Sequence, residues 1–251
     1  MTSQSSLKPN NLDINEFLRK ISSVRSQDEV IDVFHNTVSE FGFDIVIHTF
    51  LTDHLSLNKK ISDLYVGPAV QGWGAYYTEN EYLKIDPIRE ALKYKNGISA
   101  WSDIAREKKL STVQKRFMSE LREAKVWNGF SVPIHGPNNE ISAVSFASSQ
   151  SVGKIEEQTL LALGVMSRQC DEAYKNFLRQ NTIEYRVHLT AREKEVLKWA
   201  AAGKSNYDIA QIVCLSEDGV KYHFKNIYSK LGVSSRSAAL VKALKFGLVD
   251  I

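Results

Sequence analysis

Cysteine is almost missing from this chain: Cys170 and Cys214 are the only two in 251 residues, far apart and in no CxxC pair. That argues against a disulfide framework or a structural zinc site, and lone thiols suit a reducing cytosol. Long apolar runs are also lacking. The strongest, Leu160 to Met166, is far too short to cross a bilayer. The polar start, Met1 to Asn11, has no apolar core of a signal peptide. A cytoplasmic protein without membrane association is expected. Signatures of catalysis are absent as well. There is no GxSxG elbow and no GxxxxGKS/T phosphate loop, and His35, His48, His54 and His135 show no metal-ligand spacing such as HxxxH. No catalytic residue, metal or cofactor is therefore assigned. Nor does one sign of charge dominate: 32 Lys and Arg stand against 29 Asp and Glu, a net +3.

What is present is an ordinary globular composition, 43% hydrophobic and 24% charged, long enough for one large domain or two unequal ones. Ile14, Phe17, Leu18 and Ile21 recur at helical spacing. Val30, Val33, Phe34, Val38 and Phe41 mark a second helix behind a capping box at Ser26 and Glu29. Phe43 to Leu51 reads as a strand and Lys60 to Val66 as a weaker one. An aromatic stretch, Trp73 to Tyr82, leads to Asp86-Pro87, where Pro87 suits a first helical turn. Ser111 and Gln114 open a helix to about Val126. Phe130–Ile134 and Ile141–Phe146 flank a turn at Gly136–Asn139, and Lys154 to Phe177 reads as one long helix. This order predicts an α+β domain, an antiparallel sheet sandwiched by helices.

Beyond Leu178 the pattern changes. Residues 179–188 read as a linker, and 189–251 as a small all-α unit of four helices. Thr190 with Glu193 caps the first of them, a box that accounts for Glu193 structurally. Ser205, Ser216 and Ser235 open the others, and Gly203, Gly232 and Gly247 close three of the four. The charge divides at the same place. Residues 186–251 hold 11 basic and 6 acidic side chains, a net +5; residues 1–185 carry a net −2. Such asymmetry is expected when one domain meets phosphates and the other does not. Asn206–Val213 and Glu217–Leu231 fit a helix-turn-helix, with Lys221, Tyr222, Lys225 and Asn226 on the outer face of the second helix. Lys204 and Ser205 precede the first, where side chains and free N–H groups can hold a phosphate.

Leu189-Thr-Ala-Arg-Glu193, Val196-Leu197, Gly203-Lys-Ser205, Asp208-Ile-Ala210, Ser216-Glu217, Val220-Lys221, His223, Asn226 and Lys230-Leu231 closely resemble the DNA-binding domain of LuxR-type transcription regulators. Gly219 departs from that pattern, standing where the family usually has Thr. Residues 1–178 resemble the autoinducer-binding and dimerisation domain of the quorum-sensing branch, through Trp73, Tyr77, Asp86-Pro87, Trp101 and Gly129. The resemblance implies an N-acyl-homoserine lactone ligand, whose polar head needs one acceptor, donors and apolar walls. Asp86 would accept the amide N–H and Trp73 donate to the ring carbonyl. Tyr77 would pack on the acyl chain or donate its hydroxyl, Trp101 would wall the lactone, Gly129 would leave room beside the ring, and Ser145 would bond the amide or a 3-oxo group. The family commonly places a Tyr four residues before the pocket Trp; here that position is Ala69. Either Ser145 or water then serves the amide carbonyl, or the ligand differs, with Tyr65 and Tyr76 as nearby hydroxyls. The implied partners are double-stranded DNA, the lactone, a second copy of the chain and RNA polymerase. Two alternatives remain: a regulator sensing a non-lactone small molecule, and a lactone-processing enzyme with a DNA-binding appendage.

Overall fold

The computed structural model describes residues 13–181 and 188–249, apart from 55, 56, 58, 62, 68, 69, 108, 127, 151, 153, 154 and 247. They divide into two compact units. The first reaches Asn181, the turn at 136–140 aside, and the second takes up the chain beyond it.

In the first unit, Asp13 caps helix α1 (Ile14–Ser23), which buries Phe17 and Ile21 but leaves Leu18 exposed. Ser26 caps α2 (Gln27–Ser39) by accepting from the Glu29 N–H. The expected box is only half made there. Glu29 reaches one residue further back and takes the Arg25 N–H at 2.7 Å. Phe41 lies past the helix end, half-buried against the same core.

Strands β1 (Ile45–Phe50), β2 (Leu64–Val66), β3 (Ser99–Ala100), β4 (Asn128–His135) and β5 (Ile141–Ser148) form one antiparallel sheet in the order β2-β1-β5-β4-β3. The expected strand at Lys60–Val66 contributes only its last three residues. The aromatic stretch folds as α3 (Gln71–Glu79) and a 3-10 turn at Tyr82–Lys84, and Pro87 does open α4 (Pro87–Leu92). Strand β3 and helix α5 (Trp101–Glu107) were not anticipated. Helix α6 (Thr112–Glu123) carries the complete Ser111–Gln114 box. Helix α7 (Glu157–Asn181) begins later than Lys154 and continues through 179–181, which the sequence had assigned to the linker. Residues 182–187 of that linker, Ala69 and Gly247 lie outside the described residues.

Period-two alternation gives the sheet two different faces. Val46 and Phe50 of β1, Val144 and Phe146 of β5, and Val132 of β4 pack against α1, α2 and α7. A buried polar knot sits within this layer. Asp171 of α7 accepts from Ser142 at 2.7 Å and Lys175 at 2.8 Å and lies 2.8 Å from the His48 ring. Burial opposes ionisation of Asp171, but His48 and Lys175 outweigh it and bring the carboxyl down to about 2. The opposite face carries Ile45, Ile47 and Thr49 of β1 with the small residues Ser131, Ala143, Ser145 and Ala147, beneath α3–α6. Small side chains there leave unfilled space.

The second unit is helical among its described residues: α8 (Ala191–Ala201), α9 (Asn206–Ile212), α10 (Glu217–Leu231) and α11 (Arg236–Lys245). Ser or Thr caps each one, with reciprocal boxes at Thr190–Glu193 and Ser205–Asp208. Gly203 and Gly232, at φ +79° and +60°, take the left-handed turns that end α8 and α10. Val196, Leu197, Ile209, Val220, Phe224, Ile227 and Ala239 form its core. No helix among the described residues is long and apolar enough to cross a membrane.

Candidate functional site

The space over the small-residue face is a cavity lined mainly by apolar side chains, including Ile47, Leu64, Val66, Ile88, Leu92, Phe117 and Leu121. Its polar groups are few: Thr49, Trp73, Tyr77, Asp86, Arg89, Trp101, Ser131 and Ser145. Five residues singled out from the sequence, Trp73, Tyr77, Asp86, Trp101 and Ser145, therefore meet around one hollow.

Asp86 has two jobs. As N-cap of α4 its Oδ1 accepts from the N–H groups of Ile88 (2.8 Å) and Arg89 (3.2 Å). Its Oδ2 accepts from the Tyr77 hydroxyl at 2.8 Å. Burial pushes this carboxyl above the usual range, although Tyr77, Arg89 and the backbone donors pull the other way. The Tyr77 phenol is pushed far up, first by burial and then by the Asp86 charge, so it serves as a donor. Its hydroxyl is thus committed to Asp86. Oδ2 keeps lone-pair capacity for a further donor.

Trp101 follows β3 directly, and the register explains its setting. Ser99 pairs with Ser131 and Ala100 with Phe130, so the indole falls over Gly129. A Cβ on Gly129 would lie 2.5 Å from that ring. Gly129 does not itself line the cavity; the room it leaves holds the Trp101 ring, which does. The indole N–H donates to Ser131 Oγ at 2.8 Å, and Ser131 lies 2.6 Å from Ser145 Oγ. Trp73, by contrast, spends its N–H on nothing among the described residues. Neither extra tyrosine reaches the cavity. Tyr76 is exposed and bonds Glu120, and Tyr65 alternates to the other face of β2.

Sequence reasoning missed Arg89, Thr49 and Ser131. Ser131 was legible in principle, since pairing of the two hairpin strands sets it opposite Ser145. Arg89 was not, because a six-residue helix shows too little periodicity to tell an inward residue from an outward one.

In the second unit, Lys221, Tyr222 and Lys225 are exposed on α10 and Asn226 is half-buried. Lys221 is held by Asp218 at 3.0 Å and Glu217 at 3.6 Å, whereas Lys225 makes no ion pair among the described residues. Lys204 is exposed. Ser205 is less free than expected, because its N–H (3.0 Å) and hydroxyl (2.7 Å) both go to the Asp208 carboxylate. Gly219 has ordinary backbone geometry, and a Cβ there would meet Ser216 Oγ at 3.3 Å. Glu193, assigned to capping alone, does more. It is 3% exposed and accepts from the Thr190 N–H and from Lys230 of α10, each at 2.7 Å.

A family model of the autoinducer binding domain matches residues 26–170, and one of bacterial regulatory proteins of the luxR family matches 187–243. The chain belongs to the LuxR family. It is 28% identical to the transcriptional activator protein LuxR of Aliivibrio fischeri, over 95% of each chain. It is 27% identical to the quorum-sensing regulator RhlR of Pseudomonas aeruginosa, over 92% of this chain and 93% of that one. The Escherichia coli SdiA crystal structure shares the fold, with a TM-score of 0.77 at 20% identity over 94% of this chain and 97% of that one. As a LuxR-family regulator the chain pairs a DNA-binding helix-turn-helix with a small-molecule-binding domain. Family members are transcription regulators and not enzymes, so the lactone-processing alternative falls.

Proposed function

We propose that this LuxR-family chain is a quorum-sensing regulator that binds an N-acyl-homoserine lactone in its N-terminal unit and, as a cytoplasmic homodimer, a two-fold promoter site. The observation that carries the ligand reading is the hollow itself, whose apolar walls meet a carboxylate and an uncommitted indole N–H. Asp86 Oδ2 takes the amide N–H while Oδ1 keeps its cap, and Trp73 donates to the ring carbonyl. Trp101 walls the head, and the Ser131–Ser145 pair faces the acyl amide. Tyr77 orients Asp86 and packs beside the chain.

On the DNA side, Lys221, Tyr222, Lys225 and Asn226 face the major groove, and Lys204 with Ser205 meets the backbone. The functional divisions are 1–178 for ligand and dimerisation and 189–251 for DNA, with 179–188 between. RNA polymerase is the further partner at the promoter. Ligand that stabilises the folded sensor or its dimer raises DNA occupancy by mass action. A second reading keeps the DNA reader and changes the head group. It is favoured by SdiA, one structure of which holds octanoyl-rac-glycerol, an acyl chain without a lactone, in a fold with TM-score 0.74 to this one.

Melting of the full chain with lactones of graded acyl length tests the first reading, alongside the mass of any co-purified ligand. A rise in melting temperature with some lactone, abolished in Asp86→Asn, is expected. No shift at any length, with a non-lactone acyl compound recovered, selects the second reading.

A further inference from the structure

Arg89 is a charged cavity-lining group to which the lactone reading gives no role. It is 8% exposed and lies on α4 among Pro87, Ile88 and Leu92, all buried. Burying a guanidinium in apolar surroundings is costly unless its donors are matched. No carboxylate lies within 4.0 Å of it among the described residues; its acceptors are all neutral. Nη1 donates to Thr49 Oγ1, and Nη2 to the carbonyls of Phe50 at 2.8 Å and Ile61 at 2.9 Å. A guanidinium has five N–H donors. The Nε–H and one Nη1–H therefore have no acceptor among the described residues, on a side chain that lines the hollow.

The neighbouring charge narrows what could fill the gap. Asp86 caps the same helix three residues earlier and accepts from the Arg89 backbone N–H; the Arg89 guanidinium is close enough to favour its ionised form but forms no ion pair with it. Both charges border one cavity, so a neutral ligand fits them best if it offers a donor to Asp86 and an acceptor to Arg89. Asp86 already has its donor in the proposed acyl amide. The acceptor is then an oxygen a few bonds further along the acyl chain.

We propose that Arg89 is a specificity residue whose spare N–H groups receive a carbonyl or hydroxyl oxygen on the acyl chain, so that the cavity selects oxygen-bearing chains over plain alkyl chains. This rests on the cavity being an acyl-lactone site. A plain chain would cover these donors without matching them, and an oxygenated one gains a hydrogen bond to a charged group. That difference corresponds to roughly 10- to 100-fold in affinity.

Titration of the full chain with length-matched pairs of plain, 3-oxo and 3-hydroxy acyl-homoserine lactones tests the proposal. Wild type should bind an oxygenated member of the pair about 10- to 100-fold more tightly. Arg89→Met should bring the two within roughly threefold, mainly by weakening the oxygenated ligand. Arg89→Lys, which keeps the charge but loses the planar fork, should fall between them. Equal affinity of wild type for plain and oxygenated chains overturns the role of Arg89 and leaves the lactone reading standing. So does an Arg89→Met protein that keeps the preference, which would make Arg89 only a tie to Phe50 and Ile61. Should Arg89→Met not fold, the wild-type pairs and Arg89→Lys still decide. Absence of binding by every lactone overturns both readings together.

Discussion

Alanine at Gly129 would put a Cβ 2.5 Å from the Trp101 indole. The ring cannot retreat without releasing Ser131, so overpacking should cost about 1–3 kcal/mol. The expected outcome for Gly129→Ala is a lower melting temperature together with a weakened ligand response, read by thermal melting with and without lactone. Gly129→Ala at wild-type stability would mean that the indole has other places to go. This residue also shows what single positions disclose in a sequence. Gly129 was recognisable as a position where a side chain is not tolerated, but what occupies the space was not. That depended on a two-residue strand, β3, setting the register for Trp101. Asp86 was legible as the cap of α4 because Pro87 follows it, whereas its bond from the Tyr77 hydroxyl was not. Arg89 announced nothing, since its meaning lies in the oxygens it does not have.

Among elements, the tie between α8 and α10 carries the clearest expectation. Glu193 joins the Thr190 cap to Lys230, and Glu193→Ala removes both bonds from a buried position. A loss of about 1–3 kcal/mol is expected in the C-terminal unit. Burial opposes ionisation of Glu193, yet Lys230 and Thr190 prevail and hold its carboxyl below the ordinary 4.5. A depressed carboxyl stabilises the fold above its unfolded value and loses that contribution as pH falls through the folded one. Acid titration of melting temperature should therefore be steeper below about pH 4.5 in wild type than in Glu193→Gln. Matching slopes would show that Lys230 adds nothing. Helices closed by Ser or Thr caps and glycine stops were readable nearly to the residue. The edge strands β2 and β3 were not, because two or three residues cannot display an alternation. Helix α5 was hidden for a similar reason, since a seven-residue helix presents at most two turns.

At the scale of the molecule, the net +3 divides into −2 and +5 on either side of position 185. Such partition concentrates positive potential on the unit proposed to meet DNA, and affinity should fall steeply with salt. The two exposed lysines of α10 should contribute unequally. Lys221 must first leave Asp218 and Glu217, whereas Lys225 has no such partner among the described residues. Lys225→Ala is therefore expected to weaken promoter binding more than Lys221→Ala, and to reduce the salt slope by about one. Binding measured across a salt series would check this, and equal losses would count against the role of the carboxylates. Two units were visible in the sequence because strand patterns stop after Leu178 and the charge turns positive beyond 185. The full set of polar groups around the hollow was not, since the folded sheet and α4 bring Thr49, Ser131 and Arg89 to it, and spacing along the chain does not.

The alternation within β5 has a consequence for how such a receptor can diverge. Even-numbered residues such as Val144 and Phe146 belong to the core against α1, α2 and α7, and the odd-numbered Ala143, Ser145 and Ala147 face the α3–α6 side, where Ser145 lines the hollow. Under the proposed function, a substitution at Ser145 alters the hollow while leaving the layer against α1, α2 and α7 in place, although the two share a backbone. A change of one methyl group at Ser145 would then retune the receptor without displacing Val144 and Phe146 on the other side of the strand.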